Sequence, residues 1–183
     1  MKEYNLLVST KLKTKDPVAA TVKTVLTADM GYGGIVLEVL REELWAVEAS
    51  ARDRNAAYGL CEKVALNTWV LYNPNKHLLS LDVKEKGLPF LEGRKHTPPV
   101  YDITVVTRFN RDEKENSALK FLNEILPGAG RFPGVKKFTL WHIKIKAGSR
   151  DEAVSVAHDI AEARSIGSGL LANLNSQEFQ VVD

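Results

Sequence analysis

The chain has 183 residues, of which 44% are hydrophobic and 26% charged, and a formal net charge of +2. That size suits one domain or two small ones. Balanced charge without a long basic tract argues against nucleic acid or anionic lipid as the main partner. The single cysteine, Cys61, excludes an internal disulfide framework. The start, Met1-Lys2-Glu3-Tyr4-Asn5, lacks an apolar signal core. No apolar run approaches the ~18–20 residues needed to span a bilayer, so a cytoplasmic protein is expected.

Tyr4, Leu6, Val8, Thr10 and Leu12 alternate as one face of a strand. Asp16-Pro17 reads as a helix start, the carboxylate capping free amides and proline taking the first helical position. Val18, Val22, Val25 and Leu26 form its apolar stripe, and Met30-Gly31-Tyr32-Gly33-Gly34 ends it. Ile35 to Leu40 and Leu44 to Ala49 read as two further strands. Arg41-Glu42-Glu43 is the tight connection that makes them a hairpin. Asp53 caps a second helix with Ala57, Leu60, Cys61 and Val64 inward, ending near Trp69–Tyr72. An Asn73-Pro74-Asn75 turn then leads into a strand from Leu78 to Val83. The order is β-α-β-β-α-β, the split arrangement of ferredoxin-like folds.

Residues 84–100 carry Gly87, Pro89, Gly93, Pro98 and Pro99 and read as a linker. Its apolar Leu88-Pro89-Phe90-Leu91 is expected to lie against one of the flanking units, a partner-docking peptide being the alternative.

After the linker the pattern returns. Tyr101, Ile103, Val105, Thr107 and Phe109 repeat the first strand at an offset of 97 residues. Asp112 and Glu115 have capping-box spacing, and Leu119, Leu122, Ile125 and Leu126 make the next stripe. Pro127-Gly128-Ala129-Gly130 ends that helix, and Pro127 to Gly134 reads as having no equal in the first half. Ile143, Ile145 and Ala147 answer Trp45, Val47 and Ala49 at an offset of 98, as Arg150-Asp151 answers Arg52-Asp53. Asn173-Leu174-Asn175 answers the first turn at an offset of 100. The reading is a tandem duplication, an α+β chain with repeats at 1–83 and 101–183. Leu7 and Val106 are apolar on the second face of their strands, so each copy needs cover from outside itself. Two linked copies supply it as a pseudo-twofold pair.

Candidate chemistry is sparse. The four histidines, His77, His96, His142 and His158, show no metal-binding spacing, and His142, opposite Trp141 on its strand, reads as a surface residue. The glycine runs follow helices instead of strands, and Pro133 stands where a third phosphate-loop glycine belongs, so they read as caps and turns. Cys61 on an apolar helix face is no activated thiol. Trp45, Trp69 and Trp141 read as core or interface anchors. The polar residues of the two turns, Asn73, Asn75, Lys76, Asn173, Asn175 and Gln177, are the candidate partner contacts, with ordinary solvated turns as the alternative. With no catalytic constellation, a binding or assembly role is favoured.

Each half resembles the PurS subunit of phosphoribosylformylglycinamidine synthase. The resemblance rests on Leu44-Trp45-Ala46-Val47-Glu48-Ala49, on the helix carrying Cys61-Glu62-Lys63, and on the helix-to-strand exit Leu170-Leu171-Ala172-Asn173, with Leu174 where proline is usual. It implies a non-catalytic component of purine synthesis, placed between a PurL-type synthetase and a PurQ-type glutaminase and helping ammonia pass between them. It also implies no cofactor on this chain, ATP and Mg belonging to the synthetase. Family members are usually single copies that dimerise; a fused pair resembles the opening of the long single-chain synthetases. A tandem small-molecule sensor is the second reading. Single-stranded RNA binding ranks last, because the aromatic sheet signature of that class is missing.

Overall fold

A computed structural model describes residues 1–93, 96–129, 131–162 and 169–183. The elements in chain order are β1 (Lys2–Leu12), α1 (Pro17–Thr24), β2 (Val36–Ala51), α2 (Arg54–Leu66), β3 (His77–Glu85), β4 (Val100–Phe109), α3 (Glu113–Ile125), β5 (Val135–Lys146), α4 (Arg150–Ala161) and β6 (Gln177–Val182). The six strands form one antiparallel sheet in the order β3-β1-β2-β5-β4-β6. Among the described residues no helix is long and apolar enough to cross a membrane.

The expected hairpin does not form. β2 is one strand of 16 residues that runs through Arg41-Glu42-Glu43 without a break. Tight hairpin turns need left-handed backbone angles, and among the described residues only Gly31, Gly34, Gly87 and Gly169 adopt a positive φ. The three charges are held along the extended strand instead. Arg41 pairs with Asp16 at 2.9 Å, Glu43 with Lys137 at 3.2 Å, and Glu42 lies 3.6 Å from His142. Each copy is therefore β-α-β-α-β with a long middle strand.

Helix starts follow the sequence closely. Asp16 accepts from the amides of Val18 and Ala19, Asp53 from Ala56, and Asp112 from Lys114. In α4 the cap is Ser149, whose hydroxyl accepts from Glu152. α2 stops at Leu66, short of the expected Trp69–Tyr72. Gly130, part of the expected second helix stop, lies outside the described residues.

The chain divides into two compact units, and each draws on both copies. The first comprises residues 1–14, 43–90 and 111–138, and the second comprises 15–42, 91–110 and 139–183. In the first unit, Tyr4, Leu6 and Val8 of β1 and Trp45, Val47 and Ala49 of β2 pack under α2. Their second cover is Ala118 and Leu122 of α3, a helix of the later copy. In the second unit, Tyr101, Ile103 and Val105 of β4 and Trp141, Ile143 and Ile145 of β5 pack with α4. Here Val22 of α1 and Leu26 of the π-helical turn that extends it (Val25–Asp29), both from the earlier copy, complete the core. The first helix of each copy is thus exchanged.

The two cores correspond residue by residue. Val8 pairs with Trp45 and Val105 with Trp141, while Leu6 pairs with Val47 and Ile103 with Ile143. Trp141 is therefore the counterpart of Trp45, an offset of 96 in place of the expected 98. A slip of two residues keeps every side chain on its face, so alternation alone does not detect it. The same offset relates Val36 to Phe132, Val39 to Val135, Ala57 to Ala153 and Val64 to Ile160, all of them core residues. It also sets Pro127–Gly128 against Gly31–Tyr32, so that stretch does have an equal in the first half. The offset becomes 100 only after α4, where Leu171 answers Leu71.

Candidate functional site

The Asn-x-Asn turns are built alike. Asn73 Oδ1 accepts from the Asn75 amide at 3.0 Å, and Asn173 Oδ1 accepts from the Asn175 amide at 3.0 Å. The Asn73 amide donates to His77 Nδ1, and the Asn173 amide to Gln177 Oε1. Each turn is also tied to the strand beside it: Lys13 N–H donates to the Lys76 carbonyl and Asn110 N–H to the Ser176 carbonyl. Of the six candidate contacts, Asn75, Lys76, Asn173 and Asn175 are exposed, and Asn73 and Gln177 half-buried. The side-chain oxygens of Asn73, Asn173 and Gln177 hold the turns, so structural duty accounts for those three. One turn belongs to each unit.

A different surface stands out in the first unit. A cleft of about 310 Å³ is lined by Trp45, Val70, Glu113, Lys114 and Ser117. β2 supplies its aromatic floor, and the first turn of α3, held by the Asp112 cap, supplies its polar wall. Lys137 Nζ lies 5.2 Å from the centre of a Trp45 ring and 3.2 Å from Glu43, a cation held over an indole by a neighbouring carboxylate. The Lys137 amide donates to Glu115 Oε1 at 2.7 Å, tying α3 to β5. Beside the cleft the chain leaving α2 exposes Leu66 (61%), Trp69 (72%) and Val70 (40%). Trp69 therefore differs from Trp45 and Trp141, which are buried as core anchors. The expected helix ran on to Trp69–Tyr72; because α2 stops at Leu66, Trp69 falls beyond the apolar stripe that ends at Val64 and Ala65.

The second unit holds a buried polar cluster that overturns the surface reading of His142. That residue is 8% exposed. Its Nδ1 lies 3.0 Å from Thr104 Oγ1, and its Nε2 lies 3.6 Å from a Glu42 carboxylate oxygen. Carboxylate, imidazole and hydroxyl stand in line, the residue types of a nucleophilic relay. Thr104 is itself buried, so its hydroxyl is not presented to a substrate. The cluster is a polar tie across β2, β5 and β4.

Cys61 is buried, with its thiol 3.7 Å from the Leu7 carbonyl. Burial first, and then the charges of Asp82 and Glu62, push it up to about 12. At neutral pH it is a protonated, inert thiol, as its helix face implied. Among the described residues no cluster of three His, Cys, Asp or Glu side chains is arranged to hold a metal ion. Comparison with protein-family models, curated proteins and solved structures gave no match.

Proposed function

We propose that this chain is a cytoplasmic, non-catalytic assembly subunit of phosphoribosylformylglycinamidine synthase, joining a PurL-type synthetase to a PurQ-type glutaminase and supporting ammonia transfer between them. The observation that carries the reading is the unequal surface of two otherwise equivalent units. Beside the cleft the first unit exposes Trp69 and Val70, where the second has Gly169 and Leu170 at the matching offset of 100. A bridge to two different enzymes needs two equivalent supports with unlike surfaces. Exposed tryptophan flanked by apolar side chains is the usual anchor of a protein interface. The polar turns at Asn75, Lys76 and Asn175 then act as rim contacts, which contribute little energy.

The test is reconstitution of the full chain with a synthetase and a glutaminase, with ATP and glutamine analogues present. Binding to both is expected. Trp69→Ala is expected to weaken one of the two associations by about 2 kcal/mol or more and to leave the other intact. If neither enzyme associates, the reading fails. A tandem metabolite sensor is favoured by one observation, the cleft, whose size falls at the low end for small-molecule sites. Calorimetry of the isolated chain with amino acids and purine nucleotides separates the two, since tight binding supports the sensor.

A further inference from the structure

We propose that the outer edge of β3 is a docking surface for a second copy of this chain, the two β3 strands pairing antiparallel about Leu81. This inference is independent of the assembly role. β3 and β6 are the terminal strands of the sheet order, and terminal strands present rows of backbone donors and acceptors to any strand that fits. Which groups of β3 point outward follows from its pairing with β1. The Lys13 amide donates to the Lys76 carbonyl, and the Lys86 amide donates to the Glu3 carbonyl. Antiparallel ladders alternate between bonded and unbonded pairs, so the even-numbered residues of β3 are bonded to β1. The amides and carbonyls of Leu79, Leu81 and Val83 face outward, with the His77 carbonyl and the Glu85 amide at the ends. The His77 amide is taken by the Asn73 carbonyl and the Glu85 carbonyl by the Leu88 amide.

Leu81 is the central residue of the nine in β3. Laid antiparallel on a copy of itself in full overlap, the strand sets Leu81 against Leu81, Leu79 against Val83, and His77 against Glu85. The backbone bonds of the Leu81 and Leu79–Val83 pairs form in the same register that pairs the side chains, and at each end the Glu85 amide meets the His77 carbonyl. Leu79 and Leu81 already pack on the core of the first unit and are only partly buried; pairing would extend that core across the seam. The charges also complement at both ends. His77 Nδ1 accepts from the Asn73 amide, which leaves Nε2 as the donor to the Glu85 carboxylate, whose Oε1 also takes Lys2 Nζ at 2.9 Å. On the other face Ser80 meets Asp82, and half-exposed Leu78 lies on the stem of Lys84.

The opposite edge is less open. β6 is six residues long, and beyond it Asp183 is held by Arg150. Gly93 of the linker lies so close to the Asp183 carbonyl that a Cβ would not fit. One open edge gives a closed, isologous pair, whereas two would give open-ended chains.

Sedimentation of the full chain at about 100 μM is expected to show a dimer that dissociates on dilution. His77→Glu is expected to raise the dissociation constant about tenfold or more by setting two carboxylates together at each end. The turn survives that change, because the equivalent Gln177 already accepts the Asn173 amide through a side-chain oxygen. Adding Glu85→Lys to His77→Glu is expected to restore the dimer. Leu81→Pro, which removes an outward amide and no bond to β1, is a second variant expected to be monomeric. Circular dichroism establishes that each variant is folded. A chain that is monomeric at every concentration overturns the proposal. So does a dimer indifferent to His77→Glu and Leu81→Pro in folded variants.

Discussion

The two units share a plan and differ in polarity at a buried place. On the strand face away from the helices, the first unit pairs Leu7 of β1 with Ala46 of β2. The second pairs Thr104 of β4 with His142 of β5, and both members of each pair are buried. Glu42, near His142, corresponds at the offset of 96 to Phe138, which meets Phe90 edge-on at 5.6 Å. Hydrocarbon at one set of positions is thus a hydroxyl, an imidazole and a carboxylate at the other. Thr104 Oγ1 and His142 Nδ1 satisfy each other at 3.0 Å, while His142 Nε2 makes no hydrogen bond among the described residues and has the Glu42 carboxylate at 3.6 Å. A lone histidine facing Leu7 would have been buried with nothing to bond, at a cost of about 1–3 kcal/mol.

The largest effect should come from cutting the equivalence open. Separated at the linker, each half lacks the helix that covers its own strands: residues 1–90 keep α1 and lose α3, and the later half the reverse. Neither half is expected to fold as a monomer, whereas mixing restores a cooperative complex visible by sedimentation and thermal melting. A monomeric half with its own sharp transition would count against the exchange. Next come Leu26→Ala in the π-helical turn that extends α1 and Leu122→Ala in α3, both fully buried at matching positions. Each is expected to cost about 2–5 kcal/mol, and urea titration should give similar values if the cores are equivalent.

A smaller and more telling change is His142→Ala, which strands the Thr104 hydroxyl and is expected to cost about 1–3 kcal/mol. Adding Thr104→Leu recreates the pairing of the first unit and should recover most of that loss, as apolar replacement of buried polar groups often does. If the double variant is less stable than the single, the two units are not interchangeable at this place. The smallest effect concerns Cys61, whose counterpart is Ala157. The thiol is pushed up to about 12 in the fold, so its contribution to stability is complete below the unfolded value near pH 9 and is lost as pH rises toward 12. Alkylation of the native chain at pH 8 should be slow, and fast in urea. Cys61→Ala should flatten the alkaline limb of the stability profile.

Much of the fold was legible because its signals are local. Caps at Asp16, Asp53 and Asp112, the apolar stripes and the paired Asn turns all follow from neighbouring residues. Three features were not, and each has a physical reason. The hairpin was read into Arg41-Glu42-Glu43 because the triplet separates two apolar strand patterns, Ile35–Leu40 and Leu44–Ala49; the partners that keep it extended, Asp16, His142 and Lys137, lie far along the chain. The true offset between β2 and β5 was hidden because a shift of two preserves the face of every side chain. The exchange of helices leaves no mark on periodicity, since α1 shows the same stripe whichever sheet it covers. At the candidate site, Trp69 was legible as a core or interface anchor but its exposure was not, because its helix was expected to run to Trp69–Tyr72; the wall of Glu113, Lys114 and Ser117 comes from another copy and could not be foreseen.

The exchange of α1 also orders events during synthesis. Val22 and Leu26 leave the ribosome long before Trp141, Ile143 and Ile145, the strand residues they cover. Until those arrive, the nascent chain carries a bare amphipathic helix, and Trp45 has only α2 as cover until α3 emerges. Folding of the second unit must wait until β5 and α4 have emerged, and in that interval a neighbouring nascent copy competes to lend the missing helix.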